Sequence, residues 1–247
     1  MIIPVFKPLG ASTHQLAKKI GELYQTKATH TGTLDPMAEG VVIVLCDQDR
    51  FQKEAYSNFK KTYEVKLLLG VSTDSDDLLG LITTRGFSDA PVRESLIDES
   101  NKIVGNHTQI IHPFSAKRTQ GVSFFDVSKK GMSPPAITEP VELFSIDVLD
   151  QEQCAAEVFT KIVRDKISRV EGEFRQIEVL KGWETLLSEE KNTQLTIIRI
   201  KIVCSKRTYI RSLVRYLSTK IGHPLTVVEL VRTRNGPYSI ADCMCLI

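Results

Sequence analysis

HTGTLDPMAEG, residues His30 to Gly40, runs without a break into Val41-Val42-Ile43-Val44-Leu45. The second half is a short β-branched apolar run, which predicts a buried strand. The first half is polar and carries Gly32, Asp35, Pro36 and Gly40, so it reads as a loop. A loop opening onto a buried strand puts Asp35 at the rim of a rigid core, where a reactive carboxylate has to be held. The same letters also describe an ordinary turn capped by Asp35 with Pro36 in first position. Short motifs recur by chance, and spacing alone favours the turn.

Outward from that stretch, composition narrows the classes. The 247 residues suffice for one large domain or two small ones with a sizeable core. Hydrophobic content of 42% and charged content of 25% are those of a soluble globular protein. No apolar run has the length of a membrane span, and the opening MIIPVFKPLG lacks the pattern of a signal peptide. Five cysteines form no CxxC pair, which points to reduced thiols in the cytoplasm and away from structural zinc. Lys+Arg of 32 against Asp+Glu of 30 leaves a net charge of +2, so any nucleic-acid surface must come from local clustering.

Ile2 to Phe6 reads as a first strand, ended by Lys7-Pro8-Leu9-Gly10. Ser12 or Thr13 caps a helix whose apolar face is Leu16, Ile20 and Leu23, with Lys18 and Lys19 elsewhere. After the Asp35 loop and its strand, Phe51 to Lys61 reads as helical, with Lys53, Lys60 and Lys61 exposed. Alternation in Thr62 to Leu69 puts Tyr63, Val65, Leu67 and Leu69 on one face of a half-buried strand and Thr62, Glu64 and Lys66 on the other. STDSDDLLG, residues 72 to 80, lacks the spacing of a calcium loop and reads as a solvated turn. A helix from about Pro91 to Val104 is closed by Gly105. EPVELFSIDVL, residues 139 to 149, is a further strand. From about 151 to 191 the pattern turns helical, through Phe159 and Val163, then Phe174, Ile177 and Leu180, with Lys161, Arg164, Lys166, Arg169 and Arg175 interspersed. Leu195 to Val203 is strand-like and leads into a helix ending near Lys220. Its buried stripe is Ile210, Leu213, Val214 and Leu217, and Arg207, Arg211 and Arg215 follow at steps of four on a neighbouring face.

Several of these stretches share one resemblance. HTGTLDPMAEG resembles the catalytic loop of the TruB family of RNA pseudouridine synthases, usually GHTGTLDPxAxG, with Thr29 in place of the glycine. KPxGxxS at Lys7, KxYxVxxxLG around Tyr63, PxYSAxKxxG around Lys117, CSxGTYIRxL around Arg211 and xxxLRRT around Leu230 are similar to further motifs of that family. Phe114, Arg207 and Val231 depart from them. The resemblance runs from Lys7 to about Ile240 and leaves only 151 to 191 outside it. It implies an α+β chain, 1 to 247, as a single pseudouridine synthase catalytic domain. Its central sheet would be mixed and mostly antiparallel, flanked by helices and RNA-contacting loops. The 151 to 191 segment would be a helical insertion, with a covering role favoured over an RNA-gripping arm, and there would be no C-terminal PUA domain.

The resemblance also implies a role for each site residue. Asp35 is the catalytic carboxylate, Arg211 pairs with it in a bidentate fashion, and Tyr63 stacks on the target uracil. Leu230 closes the pocket and His30 enters the RNA loop. Lys7, Lys117 and Lys206 contact RNA or order the site. The implied reaction isomerises uridine-55 of the tRNA T-loop to pseudouridine without metal or cofactor. The implied partner is the T-arm stem-loop of tRNA, not DNA or a membrane, and the protein acts as a cytoplasmic monomer. Two alternatives stand beside this reading: a non-catalytic RNA-binding tRNA-folding chaperone, and a synthase acting on rRNA or mRNA.

Overall fold

Strands form where β-branched and leucine-rich runs must bury two faces, and helices where one apolar stripe suffices. The computed structural model describes residues 1–86 and 92–246. In chain order the elements are β1 (Ile2–Lys7), α1 (Thr13–Leu23), β2 (Ala28–His30), β3 (Ala38–Cys46), α2 (Lys53–Ser57), β4 (Lys61–Leu69), β5 (Val71–Thr73), β6 (Ile82–Arg85), α3 (Val92–Ile103), β7 (Gly105–Ile110), β8 (Arg118–Thr119), β9 (Val122–Ser123), α4 (Phe124–Lys129), β10 (Thr138–Ala155), α5 (Ala156–Ser168), α6 (Gln176–Glu189), β11 (Gln194–Cys204), α7 (Ile210–Ile221), β12 (Leu225–Asn235) and β13 (Tyr238–Ser239). The expected helix start at Pro91 lies outside the described residues.

The main sheet runs β1-β3-β12-β4-β11-β10-β7, with β2 added to β3 and β13 to β12. Its one parallel pairing is β3 with β12, and the other neighbours are antiparallel. This is the mixed, mostly antiparallel sheet expected. The parallel seam places Leu230 opposite Ala38 and Arg232 opposite Gly40, so the end of the HTGTLDPMAEG stretch is stitched to β12. Gly40 has φ +110°, and a Cβ there would stand 2.2 Å from the Arg232 carbonyl oxygen. No other residue lets the two backbones approach so closely.

Each face of the sheet has its own core. One gathers Val5, Leu16, Ile20, Val42, Val44, Val65, Leu67, Ile200, Ile202, Leu213 and Leu217 under α1, α3 and α7. The other packs Leu68, Val71, Leu78, Leu195 and Ile197 against Phe159, Val163, Val179 and Trp183 of the α5–α6 hairpin. Trp183 is fully buried and donates from Nε1 to the Leu78 carbonyl oxygen at 3.0 Å. The hairpin therefore covers the sheet, because β4 and β11 carry apolar residues on both faces.

Three boundaries differ from the sequence reading. Lys61 is not an exposed helical residue: the helix stops at Ser57, and Lys61 opens β4 with only 5% of its surface exposed. The helical segment begins at Ala156 rather than 151. Residues 151–155 extend β10 against β11, an exposed polar ladder in which Glu152 pairs with Lys66 and Gln153 with Thr196. That segment is held by backbone pairing, which periodicity of burial does not reveal. Leu23 of the anticipated apolar face is exposed, since α1 rotates it past the sheet. Among the described residues no helix is long and apolar enough to cross a membrane.

Candidate active site

The loop between β2 and β3 is pinned at nearly every residue. Thr31 donates its N–H to the Ile43 carbonyl oxygen, and its own carbonyl oxygen accepts from Ser57 Oγ at 2.8 Å. Arg232 Nη2 donates to the Gly32 carbonyl oxygen at 3.1 Å. Thr13 Oγ1 bonds both the N–H and the carbonyl oxygen of Leu34, at 3.0 and 3.1 Å. Gly10 N–H reaches the Pro36 carbonyl oxygen at 2.8 Å. With its neighbours fixed, Asp35 has little freedom except about its own side-chain torsions.

Arg211, in the first turn of α7, donates from Nε to Asp35 Oδ2 at 2.8 Å. Its Nη1 donates to the Ser75 carbonyl oxygen at 3.0 Å and its Nη2 to that of Phe114 at 2.9 Å. The expected two-bond pairing with Asp35 is thus replaced by a three-way hold, with only Nε on the carboxylate. Burial works against the Arg211 charge, but Asp35 and Asp77 outweigh it and hold the group above its ordinary range. Asp35 keeps about a third of its side chain exposed, and among the described residues its Oδ1 has no protein partner. The carboxylate is oriented at one oxygen and open at the other.

Asp35 opens onto a cavity of about 690 Å³, within the range of small-ligand sites. Tyr63, Leu230 and Arg232 line it from the sheet, since Arg232 pairs with Tyr63 and Leu230 with Val65 in register. Burial raises the Tyr63 hydroxyl above its usual range, with Arg232 opposing, so the phenol stays protonated at neutral pH. Lys53, Lys117, Lys206 and Arg207 stand around the same cavity. Lys206 is bonded to Asn58 Oδ1 and Arg207 to Glu139 Oε1, the latter at 2.7 Å.

Two anticipated contact residues lie elsewhere. Lys7 is fully buried and donates from Nζ to the carbonyl oxygens of Ala38, at 2.6 Å, and Pro8. Burial brings it down to about 8 against the pull of Asp35 and Glu39, so it orders the loop from behind. His30 is half-buried on β2, next to the cavity-lining Thr31, and burial holds it neutral at about 4.

Sequence reading missed four participants. Residues 73–80 are not a solvated turn: Asp76 and Asp77 are each only 5% exposed, and Asp77 Oδ2 lies 3.7 Å from Arg211 Nη1. Arg232 is buried with Nε on the Val41 carbonyl oxygen at 2.7 Å. Lys61 lines the cavity floor, lowered by burial to about 8. The signal available for the aspartates was their position beside the Leu78-Leu79 pair, which anchors the turn inward.

A model of the TruB family pseudouridylate synthase N-terminal domain matches residues 18–166, more than half of the chain. The chain belongs to the TruB family. Curated relatives called tRNA pseudouridine synthase B include that of Oceanobacillus iheyensis, 28% identical over 96% of this chain and 66% of its own length. The Geobacillus kaustophilus protein is 25% identical over 96% of this chain and 72% of its own. The chain thus spans about two thirds of the length of these relatives. Among solved structures, a Cbf5-Nop10-Gar1 complex matches with TM-score 0.60 and 19% identity, over 99% of this chain and 52% of that one. An H/ACA RNP bound to a substrate RNA containing 2'-deoxyuridine matches with TM-score 0.58 and 19% identity, over 99% and 50%. Both likenesses concern the fold. Within the TruB family pattern, Thr29 in place of glycine is an ordinary β2 residue paired with Leu45. Arg207, also in place of glycine, keeps the left-handed turn with φ +65°.

Proposed function

We propose that this chain converts uridine to pseudouridine in tRNA, with uridine-55 of the T-loop as its target and the monomer as the working unit. The observation that carries the reading is the Asp35–Arg211 pair at the edge of a cavity lined by Tyr63 and Leu230. The reaction breaks the C1′–N1 bond, turns the detached uracil and joins its C5 to C1′, after which C5 gives up its proton and N1 takes one up, so that the product is an isomer of the substrate. The carboxylate serves either as nucleophile at the ribose or as base toward its 2′ proton. Its open Oδ1 is the reacting atom, and Arg211 keeps the group aimed. Tyr63 offers a face on which uracil stacks, and Leu230 keeps the detached base from escaping. Reaching the uridine costs a few kcal/mol of unstacking, offset by contacts of Lys53, Lys117 and Lys206 to RNA phosphates.

The test is nucleoside analysis of a transcribed tRNA after incubation with wild type and with Asp35→Asn. Pseudouridine at position 55, absent with the variant at equal RNA binding, is the expected result. Binding without any pseudouridine from wild type would leave only the chaperone reading. Product solely on rRNA or mRNA fragments would move the substrate.

A further inference from the structure

Behind the Asp35–Arg211 pair lies a second polar tier that the chemistry above does not use. His112 Nε2 is 2.8 Å from Asp76 Oδ2, with the two side chains 1% and 7% exposed. His112 Nδ1 accepts the Phe114 N–H at 3.1 Å. Burial, Arg211 and Arg215 together keep this imidazole neutral, so its single proton sits on Nε2 and is donated to Asp76. Arg215, one turn beyond Arg211 on α7, places Nε 2.6 Å from the same Asp76 oxygen and donates from Nη2 to the Asp74 carbonyl oxygen at 3.0 Å.

The arrangement has a geometric consequence. Arg211 is held at three points, and only one is Asp35. The other two are carbonyl oxygens from loops far apart in sequence, Ser75 and Phe114. Asp76 follows Ser75, and His112 binds the Phe114 N–H across two residues. The His112–Asp76 bond therefore joins the two loops immediately beside the carbonyls that fix the guanidinium plane. We infer that His112 is a positioning residue for Arg211, tying the 73–80 loop to the 112–115 loop through Asp76 so that Nε stays aimed at Asp35. A guanidinium with one loose carbonyl rotates about its last torsion, and a displacement of about 1 Å at such a site costs on the order of a hundredfold in rate.

This inference rests on the reaction proposed above, so its test has an arm that does not need turnover. The variants are His112→Gln, whose amide nitrogen replaces Nε2 and preserves the tie to Asp76, and His112→Asn, whose oxygen replaces Nδ1 and preserves only the local bond to Phe114. Three quantities are read at pH 8: single-turnover pseudouridine formation on a tRNA transcript, RNA affinity, and hydrogen exchange of the Arg211 Nε–H by nitrogen-15 NMR. Melting temperature controls for folding. Asn is expected to lose about tenfold or more in rate and to speed Nε–H exchange, with affinity within about twofold, while Gln stays near wild type. Wild-type rate and exchange in His112→Asn would overturn the assignment. So would equal losses in both variants that track melting temperature while Arg211 exchange is unchanged. If wild type forms no pseudouridine, the proposed reaction fails, and the exchange comparison alone decides the role of His112.

Discussion

Two acidic loops face Arg211, and they do opposite things with their carboxylates. The 31–36 loop offers Asp35, a third exposed, with one oxygen on the guanidinium and one free. The 73–80 loop offers Asp76 and Asp77, whose side chains are 7% and 6% exposed, with oxygens taken by His112, Arg215, Ser75 and the Leu79 N–H. A carboxylate with a single partner and a free oxygen toward the cavity is available for chemistry, whereas one that is buried and holds two donors on one oxygen, as Asp76 does with His112 and Arg215 and Asp77 with Ser75 and Leu79, is structural. The loops look alike in sequence, being short and polar with one glycine each, Gly32 and Gly80. The difference lies in what surrounds them: β3 drives the first to the cavity rim, and Leu78 with Leu79 anchors the second against the α5–α6 hairpin.

Paired substitutions separate the two loops most clearly. Asp35→Asn should lower pseudouridine formation by roughly a thousandfold or more, with only a small fall in melting temperature, because Asp35 is a third exposed and Arg211 keeps Asp77 and two carbonyl oxygens. Asp77→Asn should reverse the emphasis. It puts an amide where Arg211 expects a charge, and removing one partner of a buried ion pair costs about 3 kcal/mol. A chain of this size then melts several degrees lower, and the rate falls less than for Asp35→Asn. Calorimetry and single-turnover kinetics on both variants check this. A large melting shift for Asp35→Asn with none for Asp77→Asn would invert the roles assigned here.

The buried loop also makes stability depend on pH. Burial pushes the Asp76 carboxyl up from 3.8 to about 7, with Arg215 and Arg211 opposing and Asp77 adding to the rise. His112 faces it as a neutral donor. Because the folded value lies above the unfolded one, the unfolded chain releases this proton first. Stability from Asp76 is therefore fully present below about pH 4 and is lost as pH rises through about 7. Asp76→Asn should flatten the fall in melting temperature between pH 5 and pH 8. An unchanged slope would mean that other groups carry it.

The sequence told much about the sheet and less about what lies behind the site. The β3 strand, the alternation in β4 and the α7 stripe were readable because each buries a regular set of positions. Asp35, Tyr63, Arg211 and Leu230 were legible as words of a family motif, and the fold brings all four to one place. The 73–80 loop was not, since burial of a polar turn depends on its neighbours in space rather than on its composition. Lys61 was missed for the same reason, and of the two readings of Lys7 its burial fits the ordering one. Both are charged residues whose Nζ atoms satisfy backbone carbonyls inside the protein, an arrangement composition counts as surface.

The smallest expected effect concerns Arg207, where the family carries glycine. Its φ of +65° places a long side chain in the left-handed region, at a cost of about 1 kcal/mol. Glycine there would remove that cost but gain freedom in the unfolded chain, an opposing effect of about 0.5 kcal/mol. Its pair with Glu139 is largely exposed on the arginine side, and such pairs contribute about 0–1 kcal/mol. Arg207→Gly should therefore leave the melting temperature within about 2 °C of wild type. RNA binding gives the decisive reading. If Arg207 leaves Glu139 for a phosphate, the glycine variant lowers the slope of log affinity against log salt by about 0.7–0.9. If the pair with Glu139 holds, the slope is unchanged. The 2.7 Å contact favours the second outcome, which would make Arg207 a tolerated substitution in the turn. A reduced slope would instead add it to the phosphate contacts proposed for Lys117 and Lys206.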